Sequence, residues 1–144
     1  MHKNIEQVES LVNELHTSGS GYDILRYVCL PDLLGKEANT ILYVLGKNLA
    51  RNLNPSTIEE VINFFNKTGW GELVQVKEKR REFVFELTGE PITKRIKADI
   101  LTEYRMEAGF LAQSIEQIKS ISCECIDEIK RKKNRIQFNV IYSK

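Results

Sequence analysis

The sequence predicts an α+β fold in which an antiparallel sheet is packed by long helices. Apolar residues recur every three or four positions along two long segments, about 36–53 and 103–121, which is the helical period. In two other stretches the apolar residues alternate, and each stretch is a pair of short strands joined by a charged turn. The length of 144 residues fits a single domain.

The N-terminal segment is expected to stand apart from the domain. Residues 4–16 predict a short amphipathic helix, and Thr17 to Gly21 predict a flexible joint, so residues 1–20 form an arm and residues 21–144 the domain. From Tyr22 the pattern is helical again. Pro31 is expected to end this helix, because the residue before a proline is biased away from the helical conformation.

Two more helices are expected before the first hairpin. The helix over about 36–53 should bury a single apolar stripe, made of Ile41, Leu42, Leu45, Leu49 and Leu53. The next helix is expected to start at a capping box of Ser56 and Glu59, in which each side chain satisfies a free backbone N–H. Gly69 is expected to end it in the left-handed conformation.

The sheet is expected to come from two hairpins. Their strands are predicted at 72–78, 82–88, 122–130 and 135–142. One face of the hairpins should be apolar, through Phe83, Phe85, Leu87, Ile136, Phe138, Val140 and Tyr142. A short helix over about 91–99 and a long one over about 103–121 lie between them. The long one is expected to turn inward Met106, Phe110, Leu111, Ile115 and Ile118.

Charge and histidine content exclude several classes of function. The 21 basic and 20 acidic residues give a net charge of +1, which argues against a nucleic-acid partner. No apolar run reaches the roughly 18 residues of a membrane span, and the N-terminal residues are too polar for a signal peptide. A cytoplasmic location is therefore expected. Both histidines, His2 and His16, precede the domain, which thus lacks the most common general base.

The three cysteines do not predict a cofactor. Cys123 and Cys125 should face the same side of a strand, but Cys29 is the only other thiol, and a closed zinc site needs four ligands. A zinc site would need cysteines from two chains, so small apolar side chains in the sheet are the favoured interpretation. No metal, cofactor or catalytic residue is predicted.

Two charged features are each compatible with a binding or catalytic role and with a simple solvated surface. Lys130 to Arg135 places five basic residues among six in a predicted turn, which a phosphate or an anionic membrane could use; a solvated hairpin tip is favoured. Glu103 and Glu107 share a helix face and could form an acid pair. Without a base, nucleophile or metal beside them, an exposed helix start is favoured.

Short segments throughout the domain resemble the YslB-type proteins, an uncharacterised family of Firmicute bacteria. The matching segments are GYDILR at Gly21–Arg26, LPDLLGKE at Leu30–Glu37, Ile41–Tyr43 with Gly46–Lys47, GWG at Gly69–Gly71, and EAGFLA at Glu107–Ala112. That family is similar to the four-vinyl-reductase superfamily, whose relatives include small subunits of the TRAPP tethering complex and haem-dependent gas sensors.

The resemblance implies a four-stranded antiparallel sheet packed by helices, a homodimer and an apolar ligand cavity. Two departures limit what else it implies. The last strand carries Ile136 and Phe138 where many four-vinyl-reductase domains have paired cysteines in that hairpin, and no histidine in the domain can bind haem iron. Fold therefore transfers more safely than function.

The function expected is that of a non-enzymatic homodimeric domain that binds a small hydrophobic molecule between sheet and helices. The expected lining residues are Phe65, Trp70, Phe83, Phe85, Met106 and Phe110, with Arg26 or Arg105 meeting a polar head group. The alternative is a protein-interaction or scaffold module without a ligand, whose protein partner is unknown. In that alternative the aromatic residues simply fill the core.

Overall fold

The computed structural model describes residues 19–143, so the helix expected over 4–16 lies outside the described residues. Residues 19–21, expected in a flexible joint, instead form the first turn of helix α1, Gly19–Ile24. That part of the joint prediction is wrong. Side chains of α1 bind the body of the domain through Asp23, and this anchorage outweighs the low helix propensity of glycine.

The chain does not leave the helical conformation at Pro31. Helix α1 continues as a π-helical turn, Leu25–Cys29, and then as helix α2, Leu30–Leu34. In the wide turn the Leu30 N–H donates to the carbonyl of Leu25, five residues back. Pro31 follows directly after this wide turn and α2 continues to Leu34, so the prediction that Pro31 ends the helix is wrong.

Helix α3, Ala38–Leu53, follows a short 3-10 turn at Gly35–Glu37. Its buried residues are Leu42, Gly46, Ala50 and Leu53, whereas Leu45 is 47% exposed. The predicted leucine stripe is therefore partly wrong. The buried side of α3 includes the small residues Gly46 and Ala50, because another helix approaches the α3 backbone there.

That other helix is α6, Arg105–Lys119, and the two meet at a pair of glycines. A Cβ atom on Gly46 would lie 2.0 Å from the carbonyl oxygen of Met106. A Cβ atom on Gly109 would lie 2.0 Å from the carbonyl oxygen of Tyr43. Because both clashes are with backbone, neither can be relieved by a side-chain rotation. The crossing of α3 and α6 therefore requires glycine on both helices.

Helix α4 spans Ile58–Thr68, and its N-terminal cap lies one residue later than predicted. The Thr57 hydroxyl accepts from the Glu60 N–H at 3.1 Å, so the cap pair is Thr57 and Glu60 in place of Ser56 and Glu59. Both pairs satisfy the same sequence rule, and the chain uses the second. The helix ends at Gly69 with φ of 80°, which confirms the predicted left-handed stop.

The four strands form one antiparallel sheet. They are β1, Glu72–Lys79; β2, Glu82–Thr88; β3, Cys123–Lys130; and β4, Arg135–Tyr142. The order across the sheet is β1-β2-β4-β3, so the second strands of the two hairpins pair at its centre. Helix α5, Glu90–Lys97, precedes α6, and a 3-10 turn, Arg131–Lys133, joins β3 to β4. The predicted α+β class and both hairpins are confirmed.

Helices cover one face of the sheet, which we call the inner face. Its fully buried residues include Phe83, Phe85, Leu87, Ile136, Phe138 and Val140. The opposite or outer face carries charged and amide side chains, among them the ion pair of Glu86 with Arg135 at 2.7 Å. The described residues contain no helix with the length and apolar content needed to cross a membrane.

We expect alanine at either crossing glycine to destabilise the domain severely. Gly46→Ala or Gly109→Ala forces the α3 and α6 backbones apart, which should cost about 3 kcal/mol or more of unfolding free energy, measured by urea denaturation. Gly21→Ala is the matched control, because nothing lies within 4 Å of its added Cβ. It should leave stability unchanged or raise it by up to about 1 kcal/mol. Equal stability losses in all three variants would contradict the crossing.

Candidate functional site

Four aromatic rings from three parts of the chain pack together beneath the helices. Phe64 and Phe65 lie on α4, Trp70 lies between α4 and β1, and Phe110 lies on α6. Phe64 stacks on Phe110 with ring centroids 4.8 Å apart and an interplanar angle of 15°. Trp70 meets the other three edge to face, at centroid distances of 5.0, 5.6 and 5.7 Å. We call these four residues the aromatic cluster.

The aromatic cluster extends from the core to the surface. Phe65 and Phe110 are fully buried, whereas Phe64 and Trp70 are half-buried. The four rings in contact therefore reach from the surface into the core. Stacked and edge-to-face contacts of this kind are also those that an aromatic ligand makes with its site.

The structure divides the residues predicted to line one pocket into three places. Phe65, Trp70 and Phe110 are together in the aromatic cluster. Phe83 and Phe85 form a second ring pair on β2, with centroids 6.4 Å apart, and Phe83 also contacts Tyr142 at 5.4 Å. These two phenylalanines belong to the same continuous core, but their ring contacts are made within the sheet.

The other two predicted residues lie at the start of α6. The Met106 backbone forms part of the glycine crossing, and its side chain is half-buried. Arg105 is engaged by other groups: its guanidinium pairs with Asp127 on β3 and lies 4.4 Å from the ring centroid of Tyr43. Phe64, which the sequence did not assign to the site, takes the place nearest Phe110.

A second cluster surrounds the buried Arg26, whose π-helical turn carries it against α6. Its guanidinium donates to both carboxylate oxygens of Glu103 at 2.9 Å and to those of Glu107 at 2.7 and 2.9 Å. It also donates to the Tyr22 hydroxyl at 2.6 Å. These bonds use all five N–H groups of the arginine. Arg26 therefore has no donor left for the polar head of a ligand.

The charges of this cluster are buried together. Arg26 and Glu107 are each 2% exposed. Burial on its own lowers the pKa of the Arg26 guanidinium, but the carboxylates of Glu107 and Glu103 more than offset it, and the net shift is upward. The prediction that Glu103 and Glu107 mark an exposed helix start is wrong. They are the counter-ions of an arginine that lies 77 and 81 residues away in the sequence.

A second arginine extends the cluster to α5. Arg95 binds Asp23 through two bonds of 2.9 and 3.0 Å and donates to the Tyr104 hydroxyl at 3.3 Å. The Tyr27 ring lies 5.3 Å from both the Arg26 and Arg95 guanidinium carbons. Its buried hydroxyl has no hydrogen-bond partner among residues 19–143, and burial raises its pKa. We call Arg26, Arg95 and these partners the arginine cluster.

The two C-terminal cysteines are unreactive by environment. Both face the core as predicted, and the Cys123 thiol donates to the Ala112 carbonyl at 3.1 Å. Burial raises the pKa of Cys123 to about 12 and that of Cys125 well above its ordinary value, so neither is a thiolate near neutral pH. No group of three or more potential metal-ligating side chains occurs within the described part of the chain.

Comparison with known proteins identifies the relatives of this chain. Residues 19–141 match the family described as "Protein of unknown function (DUF2507)". The chain is 32% identical over 129 residues to the uncharacterized protein YslB of Bacillus subtilis (strain 168). The aligned region covers 90% of this chain and 87% of that protein. It is 28% identical over 110 residues to the uncharacterized protein MJ1642 of Methanocaldococcus jannaschii and spans 65% of its length.

Solved structures share the fold. A vinyl-4-reductase family protein from Methanocaldococcus jannaschii superposes with a TM-score of 0.70 at 20% identity, covering 100% of this chain and 98% of that one. The phenol-responsive sensory domain of the transcription activator PoxR, solved with phenol, superposes with a TM-score of 0.56 at 10% identity, covering 99% and 76%. The expected resemblance to YslB-type proteins and to the four-vinyl-reductase fold is confirmed.

We expect Arg26 and Glu107 to be strongly coupled. Arg26→Met leaves a buried carboxylate unpaired and should cost about 3–5 kcal/mol of unfolding free energy. Combined with Glu107→Leu it should cost clearly less than the sum of the two single changes, with a coupling of about 1–3 kcal/mol in urea denaturation. The exposed pair of Lys94 with Glu90 is the control and should show no measurable coupling. Additive losses at Arg26 and Glu107 would contradict the buried pairing.

Proposed function

The chain belongs to the DUF2507 family, and from this premise we propose that it is a non-enzymatic domain that binds a small apolar molecule at the aromatic cluster. The observation that carries the proposal is the continuous path of rings from the half-buried Phe64 and Trp70 to the buried Phe65 and Phe110. Burial of an apolar molecule against such rings is favourable in proportion to the area removed from water.

Phe64 indicates how a ligand would enter. Its ring lies almost parallel to Phe110 at the contact distance of stacked rings, and it is half-buried. If the Phe64 side chain rotates outward, the face of Phe110 and the edge of Trp70 become available to an aromatic or acyl group of similar size. The cost is a rotamer change on a surface helix, which a ligand with equal stacking area offsets.

The comparisons support this class of function without fixing the ligand. The sensory domain that shares the fold responds to phenol, a small aromatic molecule, as its description states. At 10% identity only the fold is shared, so the type of ligand is carried to this chain as part of the proposal. In this proposal Phe83, Phe85 and Met106 lie outside the cluster and do not touch the ligand.

We also propose that the domain acts as a cytoplasmic homodimer. Helix α1 and its π-helical turn point Asp23, Arg26 and Tyr27 inward, while three of their apolar side chains point outward. Ile24, Leu25 and Val28 are 57%, 56% and 65% exposed. An outward apolar face of this kind is typical of an interface. The described cysteines are all free, which fits a reducing compartment.

The second candidate is an interaction module without a ligand, favoured by the same exposed face of α1. In that case the aromatic cluster is a closed part of the core. The two candidates differ in what the purified protein binds, and Trp70 reports on the difference because it is the only tryptophan of the chain.

We expect phenol or decanoate, each titrated separately, to change the fluorescence of Trp70 in a saturable manner. Phe110→Leu removes the ring that contacts the three others and should weaken binding by about tenfold. The control variant is Phe83→Leu, which replaces an equally buried ring outside the cluster. It should bind both probes as tightly as the parent protein does. Circular dichroism confirms that both variants are folded.

Native mass spectrometry before and after denaturation completes this test. Extra mass that is lost on denaturation identifies a ligand carried through purification. The proposal is wrong if neither probe gives saturation and no extra mass is found, or if both phenylalanine variants lose binding equally. That result would favour the interaction module.

We expect the protein to have the mass of a dimer at micromolar concentration in analytical ultracentrifugation. Val28→Glu places a charge in the proposed interface and should give monomers, because an unpaired charge is costly to bury between subunits. Ile126→Glu makes the same change at a residue of the outer face that is 58% exposed, and should leave the dimer intact. A monomeric parent, or dissociation by Ile126→Glu alone, would contradict this interface.

A further inference from the structure

The turn between β3 and β4 closes one side of a surface cavity. The cavity has a volume of about 440 Å³ and opens beside the basic segment Lys130–Arg135, which we call the basic turn. Its lining residues are Glu86, Ile129, Lys130, Arg131, Lys132, Lys133 and Gln137. The volume lies within the range of small-molecule sites in proteins.

The local backbone concentrates positive charge at this place. Residues Arg131–Lys133 form one 3-10 turn, and Asn134 ends it in the left-handed conformation with φ of 52°. The Asn134 N–H donates to the Arg131 carbonyl at 3.3 Å and closes the turn. Four consecutive cations are thereby held at one end of the sheet, above Glu86 and Gln137, which are register partners on β2 and β4.

The ion pairs around the basic turn leave two of its charges uncompensated. Lys130 pairs with Glu128 at 3.1 Å, and Arg131 pairs with Asp99 at 3.4 Å. The one acid in the lining, Glu86, is neutralised by Arg135 at 2.7 Å.

Lys132 and Lys133 are different. Neither has an acidic partner among residues 19–143, and both are exposed. Two free ammonium groups that line one cavity match the charge of a phosphate monoester, which carries nearly two negative charges near neutral pH.

We propose that this cavity binds the phosphate group of a phosphorylated small molecule. Lysine binds phosphate as a point charge, and Lys132 and Lys133 supply two such charges at the rim. The Gln137 amide and the apolar Ile129 lie beside them and offer contacts for the remainder of the molecule. The lining includes Glu86 and Gln137 of the outer face and contains no residue of the aromatic cluster, so either proposal can fail alone.

The chain provides a matched control in its other hairpin. The tip between β1 and β2 carries Arg80 and Arg81, which are exposed and do not line the cavity. Replacing both with glutamine lowers the net charge by the same amount as replacing Lys132 and Lys133. A difference between the two double variants therefore reports the cavity and not the overall charge.

The first measurement is calorimetric titration of the full chain with inorganic pyrophosphate, together with the amide shifts of residues 130–137. We expect saturable binding, weakened by about tenfold or more in the Lys132→Gln, Lys133→Gln variant and unchanged in the Arg80→Gln, Arg81→Gln variant. Raising the salt concentration should weaken binding in the parent. Equal weakening in both double variants would overturn the site.

A second measurement separates a soluble phosphate compound from a lipid head group. Sedimentation with phosphatidylcholine vesicles that contain phosphatidic acid tests the lipid source. Vesicle binding that is lost only in the Lys132→Gln, Lys133→Gln variant supports the site with a lipid phosphate. Pyrophosphate binding without vesicle binding supports it with a soluble ligand. Absence of both in the parent protein overturns the proposal.

Discussion

The contact between α3 and α6 at Gly46 and Gly109 is the constraint on which the rest of the structure depends. Each glycine admits a backbone carbonyl of the other helix, so the depth and angle of the crossing are set by atoms that cannot move aside. Glu107 and Phe110 flank Gly109 on α6. The crossing therefore positions both the buried counter-ion of Arg26 and the central ring of the aromatic cluster.

The arginine cluster holds the N-terminal helix in position through charged side chains. Most helices are held instead by the burial of apolar side chains. Asp23 of α1 and Arg26 of the following π-helical turn face the domain, while the apolar Ile24, Leu25 and Val28 are exposed. Removing these charges from water is costly, and buried pairs of this kind add little net stability compared with apolar side chains. They define one orientation of the helix, because five donors of Arg26 must each meet an acceptor. Among residues 19–143 the apolar side remains exposed, and it is the surface proposed above to contact a second copy.

Much of the fold could be predicted from the sequence because its signals are local. Alternation predicted β2 and β4 with their buried faces, and Gly69 predicted the end of α4. The wrong predictions concern features that are determined by tertiary packing and not by the local sequence. The buried side of α3 follows Gly46 and Ala50, which hydropathy ranks below the exposed Leu45. The helix continues past Pro31 because a π-helical turn precedes it. The spacing of apolar residues in the sequence does not predict that turn.

The candidate site was predictable only in part, and for the same reason. The sequence identified Phe65, Trp70 and Phe110, which structure brings together, but it missed Phe64. The pairing of Arg26 with Glu107 joins residues 81 positions apart, and the four-residue spacing of Glu103 and Glu107 shows a shared face without showing what faces it.

The two proposed sites lie on opposite sides of one sheet and use different chemistry. Adjacent residues of β2 point to opposite faces, so Phe85 belongs to the core beneath the helices while Glu86 lines the cavity at the basic turn. No residue belongs to both sites, so the two proposals describe separate binding places. If both proposals hold, the domain binds two separate molecules.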